Sequence, residues 1–174
     1  TTFSLLLIVG SVAIISQADV SKPGDKLHVV DELGERIILT LPLSEAQKID
    51  YQTKIVDERT NELDYLLEVT SENTVKKQAI KQSQESLDRA IEQARNAKEK
   101  SSTKGDRTKS ERYDKVLKQL DTLAEEQEMK IKYWRDKEKN EEIKREYDRN
   151  LELLKKSRNR AQSKDNSGSD EDHE

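Results

Sequence analysis

The chain contains no cysteine. That excludes structural disulfides, thiol nucleophiles, Cys-based zinc sites and haem attachment. Small secreted domains that lack a large core usually rely on disulfides, so stability here has to come from helix pairing or from a partner. Aromatic residues are almost as scarce, at 4% of 174 residues, with one Phe, one Trp and five Tyr. Apolar residues in total make up 32%, against roughly 45–50% in a typical globular domain, which leaves too little material to enclose a broad core. Only two Pro and five Gly punctuate the sequence. Charge is what is abundant: 39% of residues are Asp, Glu, Lys or Arg, yet the signs nearly cancel to a formal −4. Disorder is favoured by low hydrophobicity together with high net charge, and the second condition is not met. Dense, balanced charge fits long solvated helices laced with ion pairs.

One apolar run stands apart, "SLLLIVGSVAIISQADV" from Ser4 to Val20. A membrane-spanning helix needs about 20 predominantly apolar residues. The core Phe3–Ile15 is shorter and suits the roughly 7–15-residue apolar region of a secretory signal. Ser16-Gln17-Ala18 places small residues at the third and first positions before a cut. Residues 1–18 are therefore expected to be a signal peptide cleaved after Ala18, which makes the mature chain secreted and extracellular. The alternative is an uncleaved signal anchor that tethers the polar remainder to a membrane. No Asn-x-Ser/Thr sequon occurs, so N-glycosylation lends the secretory reading no support.

Past the signal, Gly24 in "SKPGD" and Gly34 in "DELGE" mark turns. The flanks "KLHVV" and "RIILTLP" are rich in Val, Ile, Leu and Thr, and residues 19–43 read as a short β-hairpin closed by Pro42. Ser44-Glu45-Ala46-Gln47 then fits a capping box. From Glu45 to Lys100, and again from Arg107 to Gln162, no Gly or Pro occurs. Apolar residues recur there at helical spacing: Ile49, Val56, Leu63, Leu66, Ile80, Leu87, Ile91 and Ala94, then Tyr113, Val116, Leu117, Leu120, Leu123, Ile131, Trp134, Ile143, Tyr147, Leu151 and Leu154. Five Glu-to-basic pairs at four-residue spacing support the second stretch: Glu111–Lys115, Glu126–Lys130, Glu128–Lys132, Glu141–Arg145 and Glu152–Lys156.

These features predict an all-α fold in which residues 44–162 form a long antiparallel helical hairpin, or coiled-coil-like rod, with its turn near 101–110. At ~1.5 Å per residue each arm would run about 84 Å. A turn at Gly105 pairs Leu87 with Leu120, Ile91 with Val116, Ala94 with Tyr113, Leu63 with Ile143 and Val56 with Leu151. The stripe is imperfect. Lys77, Gln84 and Gln127 fall on it, Gln127 faces Ile80, and the spacing slips between Trp134 and Ile143, which suggests altered supercoiling or loose packing. The patch "TSENTVKK" is a place for the first helix to kink or end, with Thr74 as a new cap. Residues 163–174, "SKDNSGSDEDHE" from Ser163, have no apolar side chain and are expected to be a disordered acidic tail.

No set of residues suggests catalysis. A nucleophile needs a base beside it, oriented by a third group. The chain has two His, His28 in the expected hairpin and His173 in the tail, and no Gly-x-Ser-x-Gly, phosphate-binding loop or His-Glu-x-x-His. Catalytic carboxylate pairs need an enclosing cleft, which open helices do not provide. The basic run "KKSRNR", Lys155 to Arg160, lacks the uncompensated charge that phosphate binding requires, and "SDEDHE" lacks the ligand spacing of a calcium loop. Ser169, followed by acids, is a possible kinase target. Tyr133 and Trp134 adjoin on the second stretch; Trp is enriched at interfaces, although a lone Trp on a helix stripe more often packs internally. The chain is thus expected to be non-enzymatic, without catalytic residues, metal or cofactor. It should act by protein–protein binding, spacing or assembly, through a protein partner or self-association of helix faces, and not on nucleic acid. Membrane contact is expected only if residues 1–18 remain.

Overall fold

The computed structural model describes residues 42–70 and 72–162. The expected signal peptide, the tail and, apart from its last two residues, the hairpin lie outside the described residues, as do His28, His173 and Ser169. The described part is entirely helical: α1 (Glu45–Val69), α2 (Asn73–Thr103), α3 (Arg107–Lys137) and α4 (Glu141–Gln162).

Each boundary has a local cause. The capping box at α1 forms as its sequence predicts, with Gln47 N–H donating to Ser44 Oγ at 3.3 Å and Ser44 N–H donating to Gln47 Oε1 at 3.0 Å. α1 ends at Thr70, whose extended backbone still donates to Leu66 O. Helix α2 starts at Asn73, so Thr74 lies within its first turn and is not the new cap expected from the sequence. It runs through Thr103 and stops at Gly105, which has φ 69°. Glycine takes this left-handed conformation at no steric cost. Asp106 then caps α3 by accepting from Lys109 N–H at 3.1 Å. At the last reversal Glu138 Oε1 accepts from the N–H groups of Lys139 and Asn140, while Asn140 Oδ1 accepts from Glu142 and Ile143 N–H.

The two expected long arms are therefore each two helices. The weak patch near Asn73 is a full reversal, and so is the slip between Trp134 and Ile143, which is neither altered supercoiling nor loose packing. The four helices run up, down, up and down. α2 and α3 pack antiparallel about Gly105, in the expected sense, tied by Lys98–Asp114 at 3.1 Å near the turn and Lys76–Glu138 at 2.8 Å at the far end. α1 packs on both α2 and α3, and so does α4. Lys100–Glu45 ties α1 to α2, and Arg158 ties α4 to α3 through Asp121, at 3.0 and 3.1 Å. α1 and α4 lie at overlapping levels without packing extensively on each other, so they occupy opposite grooves of the α2–α3 pair. The expected pairs Leu63–Ile143 and Val56–Leu151 need α1 against α4 and are replaced. All four residues are buried in the shared core.

The core is one continuous cluster, running from Ile49, Val56 and Leu63 through Ile80, Leu87 and Ile91 to Leu120, Ile131, Ile143 and Leu154. α2 contributes a run of small buried residues, Ala79, Ser83, Ser86, Ala90, Ala94 and Ala97, a thin face that lets neighbouring helices approach closely. Modest apolar content thus suffices, because four short helices share one narrow seam. Of the charge pairs expected within the second stretch, Glu126–Lys130 and Glu128–Lys132 form, at 3.0 and 2.6 Å. Glu111 pairs with Arg107 and Glu141 with Lys144 instead. No helix among the described residues is long and apolar enough to cross a membrane.

Candidate interaction surface

Met129, Tyr133 and Lys137 succeed one another at four-residue spacing on α3, so they share one face. That face borders the groove between α3 and the C-terminal half of α1, at the end of the bundle away from Gly105. Asp64 and Glu68 of α1 line the groove opposite Met129, Tyr133 and Trp134, enclosing about 490 Å³. Met129 and Tyr133 are 60% and 53% exposed, among the few large apolar side chains that the described bundle leaves in solvent. Tyr65 and Val69, also exposed, lie at the same end of α1.

Trp134 anchors the floor. It is half-buried against the core, and its indole Nε1–H donates to Asp64 Oδ1 at 3.0 Å. Tyr133 meets it edge-on, with ring centroids 5.2 Å apart at 87°, the arrangement aromatic quadrupoles favour. The Lys137 ammonium stands 3.9 Å from the Tyr133 ring centroid, within cation–π range. Lys130 bridges the two walls, donating to Thr60 O at 2.8 Å and pairing with Asp64 at 3.6 Å and Glu126 at 3.0 Å. The groove is therefore held in shape by polar contacts while its aromatic and thioether surface stays open.

The sequence reading that placed Trp134 in internal packing and left Tyr133 beside it holds only in part, since the same Trp packs inward and floors an open groove. The role of Met129 was missed, although its spacing to Tyr133 and Lys137 was a usable signal.

The basic run 155–160 is divided by the packing of α4. Arg158 reaches Asp121, Glu125 and Glu128 at 3.1, 3.4 and 3.1 Å, and Arg160 bonds Asp88. Ser157 is buried, while Lys155 and Lys156 remain exposed. Compensation among the described residues thus comes from acids of α2 and α3. Lys132, with Arg158 beside it, holds the Glu128 carboxyl below the usual carboxylate range, and Lys76 does the same for Glu138. Burial pushes the Tyr147 phenol up. Among the described residues no group of three or more His, Asp or Glu side chains is arranged to hold a metal ion. No protein-family model, curated protein or solved structure matches the chain.

Proposed function

We propose that the protein is a secreted, non-enzymatic helical module that binds a protein partner through the Met129–Tyr133–Trp134 groove. The observation that carries this is an exposed Met–Tyr pair beside a Trp fixed by Asp64, on a described bundle whose exposed surface is mostly charged. Tyr, Trp and Met are enriched at protein interfaces, whereas Lys and Glu are depleted. A pre-shaped aromatic floor loses little further conformational freedom on binding. The partner that fits offers an apolar side chain to the floor and polar groups to a rim carrying both signs, Glu68 and Asp64 on one wall, Lys130 and Lys137 on the other. The secreted part of the reading rests on residues 1–18 alone.

A photo-crosslinking amino acid at Tyr133 tests the surface. In medium from cells that secrete the protein, a discrete adduct with another protein is expected. It should disappear when Met129→Ser is added to the same chain, with the thermal midpoint unchanged. An adduct of doubled chain mass would mean self-association, and equal labelling from a probe at exposed Glu99 would sink the groove as a specific site. N-terminal sequencing tests the place: a mature chain should begin at Asp19, whereas membrane-associated protein that retains Phe3 would make the anchor the correct reading.

A further inference from the structure

Four amide side chains lie in the core, one on each helix: Gln52, Gln84, Gln127 and Asn150, all at most 5% exposed. Two make well-formed contacts between helices. Gln127 Nε2 donates to Thr60 Oγ1 at 2.8 Å, and Thr60 passes its own proton to Val56 O at 2.7 Å. Gln84 Nε2 donates to Ser157 Oγ at 3.0 Å, and Ser157 donates on to Asp88. The side-chain oxygens of all four amides find no partner among the described residues, so this polar layer is costly to bury and does not maximise stability.

The placement of the two pairs explains them. Thr60–Gln127 joins α1 to α3 and can form only if the chain turns back between Val69 and Asn73. Gln84–Ser157 joins α2 to α4 and can form only if it turns back between Lys137 and Glu141. The narrow apolar stripe alone is compatible with a straight two-helix hairpin, where Leu63 meets Ile143 and Val56 meets Leu151, although the folded-back bundle buries more of each helix, Ile55, Leu67, Ala79 and Ala90 among the added residues. In that arrangement Gln127 faces Ile80 and Gln84 faces Leu123, so both amides lose their hydroxyl partners.

We infer that the buried Gln127–Thr60 and Gln84–Ser157 pairs are a conformational selector, which holds the chain as a folded-back bundle against a straight two-helix hairpin. Each pair guards one reversal. A buried amide left without its partner in the straight form shifts the balance by roughly tenfold or more, which is the logic by which polar core positions specify register at a cost in stability.

The chain has no native cysteine, so spin labels can be placed cleanly on the full-length protein. Labels at Asp57 and Arg89, both exposed, report the first reversal; labels at Thr122 and Lys156 report the second. In the bundle each pair should lie roughly 15–25 Å apart, given helices packed about 8–10 Å from one another. Straightening would carry them to about 48 and 51 Å along continuous helices at ~1.5 Å per residue. Thr60→Val with Gln127→Leu should raise the long-distance population at the first pair at least tenfold. Ser157→Ala with Gln84→Leu should do the same at the second pair alone. Thr60→Ser, which keeps the hydroxyl, should stay closed. Unchanged distances in both apolar variants, opening at the wrong reversal, or loss of helical signal on removing the polar pairs would each overturn the inference.

Discussion

Glu128 shows how much a single side chain carries in a molecule built on charge. It is 7% exposed, accepts from Lys132, and closes a cluster in which Arg158 also reaches Asp121 and Glu125. Its folded pKa lies below the ordinary 4.5, with the Lys132 hydrogen bond as the largest cause. A carboxylate of this kind contributes stability that is fully present above the ordinary value and is lost as pH falls through the depressed one. Glu138, held by Lys76, adds in the same sense. Thermal midpoints should therefore be flat from neutral pH to about 5 and decline below about 4.5, and Glu128→Gln should make that decline shallower; an identical acid slope in the variant would show that the cluster is not the cause. Residues differ in how far the sequence revealed them. Gln84 and Gln127 were visible as faults in the apolar stripe, but their hydroxyl partners were not. Thr60 and Ser157 lie 67 and 73 positions away, and only the tertiary fold brings them close. Met129 and Tyr133 were legible as a helical face, but which face would stay open depended on where α1 settled.

At the scale of the helices, caps and turns carry the most local information, and they were unequally readable. Ser44 and Gln47 form a recognisable motif and make the bonds it implies. The reversal at 138–140 uses Glu138 and Asn140, residue types found throughout this chain, and Glu138 turns the backbone with one oxygen while Lys76 from α2 holds the other. The contact from the distant helix leaves no local signature. Ser44→Ala should lower stability by about 1 kcal/mol. Gly105→Ala should cost about 1 kcal/mol or slightly more through backbone conformation alone, because a Cβ there meets nothing within 4 Å. Gly105→Asn should recover part of that loss, since Asn tolerates the left-handed region. Chemical denaturation measures all three; a Gly105→Ala variant as stable as the native chain would remove strain as the reason for glycine at this turn.

On the scale of the whole molecule, α2 and α3 each have neighbours on both sides, while α1 and α4 each lie in a single groove. Hydrogen exchange should be slowest around Leu87, Ile91, Leu120 and Ala124, all fully buried, and faster in α4, whose last turn from Ser157 to Gln162 should exchange first. Exchange in α4 as slow as in α2 would mean that the bundle opens only as one unit. Leu120→Ala should destabilise every helix together, by about 2–5 kcal/mol. The all-helical class, the Gly105 turn and the antiparallel α2–α3 pair were legible because they depend on periodicity and one glycine. The two further reversals were not, because the same stripe serves both the straight and the folded-back chain.

The direction of the helices also fixes how the molecule bears a load. α1 begins beside Lys100, and α4 runs parallel to α2, so both ends of the helical region leave toward Gly105. Tension applied through Ser44 and Gln162 therefore lifts α1 and α4 from that end, one turn after another, and does not slide them along their grooves. Ion pairs and apolar contacts then break in sequence, not all at once. Pulled through those two ends, the bundle would be unzipped from the Gly105 end, a more compliant response than shearing its helices along their length.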